Sequence, residues 1–233
     1  MANIFEENAY KKEIETKIKR LDKDNKIIEL EDTIFYGKSG GQPGDIGEII
    51  VDGEKIEIND TLKSGNSIEH LSKEIINLSV DQKVLARINW QRRYKHMRMH
   101  SALHLMCAAI PLGVTGGQIG FGKSRLDFND PDKQINKEEL EEKINSLMKE
   151  NHEIDYEFID SKILEKQPEL VRTMSVKPPK IEGKLRFVKI GTVDFQPCGG
   201  THVKSTNEIG EIKIGKIENK GKMNRRVNIL LND

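Results

Sequence analysis

Cys198-Gly199-Gly200-Thr201-His202 places a thiol and an imidazole four residues apart on backbone that two glycines leave free to bend. A second pair stands upstream in His100-Ser101-Ala102-Leu103-His104, where i, i+4 spacing on a helix sets both imidazoles on one face. Sulfur and imidazole nitrogen suit zinc better than calcium or magnesium, which take oxygen donors. The expectation is therefore one zinc per chain on His100, His104, Cys198 and His202. The histidine pair alone reads as packing or surface; the two halves together point to metal. Cys107, three residues past His104 on nearly the same face, is either a rival ligand or a small buried apolar side chain.

The elements that must carry these residues are legible in outline. Apolar and polar residues alternate from Ile14 to Ile18, and a Lys23-Asp24-Asn25 turn leads to a strand-like run at Ile27 to Leu30. Glu48 to Val51 and Lys55 to Ile58 flank Asp52-Gly53, a strong hairpin signal. Val84, Ala86, Ile88 and Trp90 alternate on a further strand, so residues 1–89 read as a small β-barrel that closes its own edges. Gln91 to Ile110 is helical, with Met99, Leu103, Met106 and Ile110 in one stripe, the histidines beside it, and Pro111 as the stop.

Gly113 to Gly122, with Thr115 and Gln118, suggests a loop or strand edge where a ligand backbone comes close, or a plain turn. Asn136 caps a long helix with Glu139 at its third position and Leu140, Ile144, Leu147 and Met148 as its buried face. Ile154, Tyr156 and Phe158 alternate as a strand, Asp160 or Ser161 caps a shorter helix, and Pro178-Pro179 ends that region. Leu185 to Ile190 leads into the Cys-Gly-Gly-Thr-His turn; Ile212 and Ile214 start another strand, which Lys220 to Asn224 turns back toward Val227, Ile229 and Leu230. Residues 90–233 thus mix helices with a largely antiparallel sheet, and the whole reads as α+β.

At 233 residues, 36% hydrophobic and 33% charged, the chain reads as globular and long enough to bury cores without disulfides. No apolar run approaches the roughly 18 residues of a membrane span, and Glu6 and Glu7 are unlike a secretory leader, so the expected compartment is the cytoplasm. Two cysteines, one claimed by the motif, are expected as reduced thiols. The net charge of zero argues against a protein that coats nucleic acid nonspecifically. The average hides an asymmetry: residues 1–89 carry 13 Lys/Arg against 18 Asp/Glu, and residues 90–233 carry 25 against 20. A polyanion should meet the second part.

With its distal Cys198-Gly199-Gly200-Thr201-His202-Val203, the His100-to-His104 motif closely resembles the editing domain of alanyl-tRNA synthetase and its free-standing relatives, the AlaX-type alanyl-tRNA editing proteins. The segment from Phe35 to Gly47, Phe-Tyr-Gly-Lys-Ser-Gly-Gly-Gln-Pro-Gly-Asp-Ile-Gly, looks like the glycine-rich motif that precedes that domain, so the resemblance runs from about residue 30 onward. It implies a β-barrel followed by a zinc-dependent editing domain, and a hydrolase that deacylates seryl-tRNA(Ala), with glycyl-tRNA(Ala) a plausible second substrate, while sparing alanyl-tRNA(Ala). The partner is then the acceptor end of mischarged tRNA(Ala).

An ester needs only a placed water, a stabilised oxyanion and recognition of the wrong amino acid. Four protein ligands make a closed site, whereas a zinc that activates water keeps a position open. Either a ligand such as His100 exchanges with water, which we favour, or the zinc only positions substrate. Gln118 and Thr201 are candidate catalytic contacts, or satisfy local backbone. The resemblance gives the glycine-rich segment, with Gly40, Gly41, Asp45 and Gly47, a part in selectivity, and Thr115 joins that set; a tight turn is the plainer reading. Three basic runs bracket the metal segments: Arg92, Arg93, Lys95 and Arg98; Lys123 and Arg125; and Lys220, Lys222, Arg225 and Arg226. Phosphate contact is their expected use, solvated surface the alternative. Rival readings are the threonyl-tRNA synthetase type of editing domain, which pairs similar motifs, and a non-catalytic zinc-stabilised RNA-binding module.

Overall fold

Ile14, Thr16 and Ile18 turn inward along strand β1 (Glu13–Asp22), which follows the single-turn helix α1 (Ile4–Glu7) and pairs with β2 (Ile27–Leu30) across the expected turn. The computed structural model describes residues 3–75, 77–172 and 183–232 and divides into two units, Met1–Lys95 and His96–Asp233. In the first, β3 (Gly47–Val51), β4 (Glu54–Ser64), β5 (Ser67–Ser72) and β6 (Lys83–Ile88) complete an antiparallel barrel of order β1-β2-β5-β4-β3-β6, with β6 closing on β1. Closure leaves no sheet edge. Ile18, Ile28, Ile34, Phe35, Ile49, Ile58 and Ala86 fill it.

Two departures from the sequence pattern have physical reasons. Trp90 opens helix α2 (Trp90–Ala109) instead of ending β6. Strand β5 escapes the pattern because its second inward residue is His70, not an apolar one. His70 is fully buried and satisfied: Nδ1–H donates to the Ile28 carbonyl at 2.8 Å, and Nε2 accepts from the Thr33 hydroxyl at 2.8 Å. Burial pushes its pKa down from 6.5 to about 4.

The glycine-rich segment is shaped by this barrel. Gly40 and Gly41, with φ of 53° and 84°, form the exposed tip of a tight turn bridged by Ser39 and Gln42. A Cβ on Gly47 would collide with the Arg87 carbonyl of β6. Asp45, 1% exposed, accepts the Tyr36 N–H at 2.7 Å and pairs with the guanidinium of Arg93, 0% exposed, which also donates to the carbonyls of Ala9 (2.8 Å) and Ile34 (2.6 Å). Arg93 is therefore withdrawn from the phosphate-facing set: its donors are spent inside the first unit.

In the second unit the antiparallel strands divide between two sheets. β7 (Val114–Gln118) and β8 (Lys123–Asn129) precede helix α3 (Lys137–Lys149), whose Asn136 cap accepts the Glu139 N–H at 3.1 Å and whose Leu140, Ile144 and Met148 are buried. β9 (Ile154–Asp160) runs through Asp160, so neither Asp160 nor Ser161 caps the following helix α4 (Ile163–Lys166), whose N-cap is Lys162. The expected stop at Pro178-Pro179 lies outside the described residues. β10 (Lys184–Ile190) joins β9 to β11 (Asp194–Pro197), a strand too short to show alternation. β12 (Ile212–Lys220) and β13 (Asn224–Leu231) complete the other sheet, of order β12-β13-β8-β7. Edge strand β12 is closed by α3: Asn145 exchanges hydrogen bonds with the Ile212 backbone, and Glu141 accepts the Ile214 N–H at 2.6 Å. Leu230 is 38% exposed because Val227 and Ile229 set the inward parity.

Replacing Arg93 with Met leaves Asp45 buried and uncompensated, a loss of about 3 to 5 kcal/mol. Urea unfolding followed by circular dichroism checks this, and a midpoint no lower than that of a surface variant would remove the structural role. His70 gives a pH signature. The folded pKa lies below the unfolded one, so its contribution is fully present above 6.5 and declines as pH falls from 6.5 toward 4. NMR titration of the folded protein should show the His70 ring neutral at pH 5.5; a midpoint near 6.5 would overturn the assignment.

Candidate metal centre

Helix α2 is buried almost all round from His96 to its end at Ala109. His100 and His104 project from one face toward the loop that leaves β11, where Cys198 and His202 stand. One donor atom from each residue lies within 4.8 Å of all the others. Cys198 Sγ is 3.3 Å from His202 Nε2 and 3.5 Å from His100 Nε2. A tetrahedral site with metal–sulfur and metal–nitrogen bonds of about 2.3 and 2.0 Å has edges of about 3.5 Å, so the donor set fits a metal ion.

The surrounding hydrogen bonds fix two of the three rings. His104 Nδ1–H donates to Asp194 Oδ2 at 2.8 Å, which leaves Nε2 for the cluster, and Gln196 Nε2 donates to the same carboxylate oxygen at 2.8 Å. With His202 Nε2 turned to Cys198, its Nδ1–H donates to Ser101 Oγ at 3.1 Å, and that hydroxyl also accepts the Val203 N–H at 3.3 Å. Arg186 Nη1 donates to the carbonyls of Cys198 and Gly200, both at 2.9 Å, and its guanidinium lies 4.9 Å over the Tyr156 ring. The motif loop is thus tied to β10 and β9.

Burial raises the Cys198 thiol, but the imidazoles of His100, His202 and His104 outweigh it and hold the sulfur well below its ordinary value, as a thiolate. Burial and neighbouring His100 hold His202 well below 6.5, in the neutral form a metal needs. Burial also opposes a charge on His104, yet Cys198 and Asp194 push it up to about 10. Cys107 stands outside the cluster; burial, with the Asp194 charge, pushes its thiol up to about 12. It is the small buried side chain of the two readings.

The other expected site residues are more dispersed. Thr201 is fully buried within the motif loop. Gln118 is exposed on β7 and accepts from Arg125 Nε at 3.4 Å, and Thr115 donates to the Asp127 carbonyl at 3.1 Å. Gly40, Gly41, Asp45 and Gly47 belong to the first unit, as do Arg92 and Lys95. Arg98 donates to the Ile209 carbonyl at 2.8 Å. Lys123, Lys220 and Lys222 are exposed, Arg125, Arg225 and Arg226 half-buried. Sequence reasoning missed Ser101, Asp194, Gln196 and Arg186. Ser101 stood inside the histidine motif and Asp194 four residues before Cys198, but only the fold shows what they touch. No helix among the described residues is long and apolar enough to cross a membrane.

Comparison with known proteins bears on what this centre serves. Residues 185–228 match the model of the threonyl and alanyl tRNA synthetase second additional domain, and residues 2–92 that of the class II (A) tRNA synthetases. The alanyl-tRNA editing protein AlaX-M of Methanosarcina acetivorans is 34% identical over 241 residues, covering 97% of both chains. The chain belongs to the alanyl-tRNA editing protein family. Within that family, AlaX-M of Saccharolobus solfataricus is 35% identical over 96% of each chain, and AlaX-L of Pyrococcus horikoshii is 33% identical over 94% of this chain and 55% of its own.

Replacing Asp194 with Asn keeps all four donors but removes the charge that orients His104, so metal affinity should fall about 10- to 100-fold. Chelator competition at fixed pH measures it, with Cys198→Ala as the variant that loses a ligand outright. Unchanged affinity in Asp194→Asn would deny the carboxylate its orienting role.

Proposed function

We propose that this chain is a trans-editing hydrolase that cleaves the ester of mischarged seryl-tRNA(Ala), with glycyl-tRNA(Ala) as a second substrate, and spares alanyl-tRNA(Ala). The reading rests on identity of about a third across nearly the whole chain with proteins named for alanyl-tRNA editing, and the four-donor cluster supports it. In this reading residues 90–233 form the editing domain, and residues 1–89 form the barrel whose glycine-rich tip contributes to selectivity.

The metal is zinc, one per chain, held by His100, His104, Cys198 and His202. When bound, zinc supplies a concentrated positive charge that polarises an ester or acidifies a water. The protein's own part is to keep Cys198 as thiolate and His202 neutral, to hold His104 on Asp194, and to carry the loop on Arg186. In the net reaction, water oxygen bonds to the ester carbonyl carbon, the carbon–oxygen bond to the ribose breaks, and the ribose oxygen takes a proton. Thr201 and Gln118 are the polar groups assigned to substrate contact, and Thr115 to selectivity.

Serine differs from alanine by one hydroxyl. A site whose buried polar group needs that hydroxyl rejects alanine, since the group would otherwise stay unpaired at ~1 to 3 kcal/mol. Initial rates on seryl-, glycyl- and alanyl-tRNA(Ala), at equal enzyme and checked zinc content, should show serine cleaved at least about tenfold faster than alanine, the factor for ~1.4 kcal/mol. Equal rates on serine and alanine would sink the editing reading.

A further inference from the structure

The Cys-Gly-Gly-Thr-His segment contains a joint. Cys198 is set by the sheet, since its N–H donates to the Arg186 carbonyl at 3.0 Å where β11 ends, and His202 is set by Ser101 of α2. Between them run Gly199 and Gly200, neighbours with no side chain to restrict the backbone, and their dihedral angles decide where the sulfur stands relative to the His202 imidazole. Packing does not settle those angles at Gly199: the residue is exposed, and a Cβ placed on it would meet nothing within 4 Å. Its φ also lies outside the left-handed region, so no tight turn dictates the conformation. Order in this joint has to come from hydrogen bonds.

Arg186 supplies them. Its Nη1 donates to the Cys198 carbonyl at the start of the joint and to the Gly200 carbonyl at its end, both at 2.9 Å, so one nitrogen bridges the flexible stretch. The N–H inside that bridge, on Gly200, donates to Cys198 Sγ at 3.4 Å, and the bridged shape thereby gives the sulfur a hydrogen bond. Arg186 is itself held: its guanidinium lies 4.9 Å over the Tyr156 ring of β9, and the Phe158 ring meets that ring edge-on at 5.8 Å. Each of these contacts is made by the protein's own atoms and needs no metal to form.

We propose that Arg186 is a positioning residue of the metal centre: by bridging the Cys198 and Gly200 carbonyls it holds the Gly199-Gly200 joint in the ligand-ready shape before a metal arrives. The reading of the cluster as a zinc site underlies the affinity arm of the test and not the loop arm. For the loop arm, hydrogen exchange at the Gly200 amide is followed by NMR in the full chain stripped of metal. The wild-type amide should exchange at least about tenfold more slowly than an unstructured glycine, and Arg186→Gln should remove that protection. For the affinity arm, chelator competition for zinc at fixed pH should show Arg186→Gln binding about 10- to 100-fold more weakly. Arg186→Lys keeps the charge but loses the planar fork that lies on Tyr156, so it should stay nearer to Arg186→Gln than to the wild type in both arms.

Tyr156→Leu leaves Arg186 in place and removes the ring beneath it, so it keeps the test valid where Arg186→Gln fails to fold; zinc affinity should fall about two- to fivefold. Circular dichroism checks the fold of each variant. A metal-free wild-type chain that exchanges Gly200 freely would overturn the proposal, and so would full recovery by Arg186→Lys, which would make charge rather than positioning the cause. Wild-type protein with a protected Gly200 amide that binds no zinc overturns the metal reading alone. Wild-type protein that binds zinc, with protection and affinity that survive Arg186→Gln, overturns the role of Arg186 alone.

Discussion

Four donors drawn from positions about a hundred residues apart, all within 4.8 Å, impose the constraint on which the second unit depends. A buried thiolate and converging imidazoles repel or desolvate one another unless each finds a compensating partner. The fold answers for two of the rings and for the loop: Asp194 accepts the His104 Nδ1–H, Ser101 accepts that of His202, and Arg186 holds the carbonyls of the loop that carries the sulfur. These partners come from three different elements, so α2, β10 and β11 must meet in one arrangement for the cluster to exist at all. The burial of α2 follows from the same requirement, since a helix with two ligands facing a loop and an apolar stripe beside them has little surface left for solvent.

The first unit solves a related problem with a different chemistry. Its glycine-rich segment reverses direction within a few residues, and such a loop is anchored by Asp45 reaching the Tyr36 N–H and the Arg93 guanidinium. Arg93 then closes two further groups, the carbonyls of Ala9 and Ile34, with no solvent exposure of its own. An ion pair so completely buried costs desolvation on both sides, and a bond on each of the three guanidinium nitrogens is what makes it tolerable. The exposed Gly40-Gly41 tip is free to be polar and small because the anchoring is done below it.

Most strands were legible because they follow period two, and the ligands because their residue types are chemically narrow. What sequence hid were cases where one residue serves two plausible ends. Arg93 sits in a run with Arg92 and Lys95 that looks like a phosphate patch; only the partner in space, Asp45, shows otherwise. His70 breaks an alternation that would have revealed β5, since a buried imidazole looks polar in sequence and behaves as core when both nitrogens are bonded. Asp194 and Arg186 carry no local pattern, because orienting a ligand takes one well-placed atom and no spacing rule.

Charge distribution ties these elements to function. The surplus of basic residues lies in the second part of the chain, 25 against 20, too small for nonspecific binding of a polyanion. What the sequence lacks in quantity the sheet supplies in arrangement. Asp127 cancels part of the charge of Arg125 and Arg226, yet it also removes the freedom of the two long side chains. A patch of loose lysines would bind any nucleic acid more strongly at low salt; two fixed guanidinium groups bind more selectively and lose less entropy in doing so.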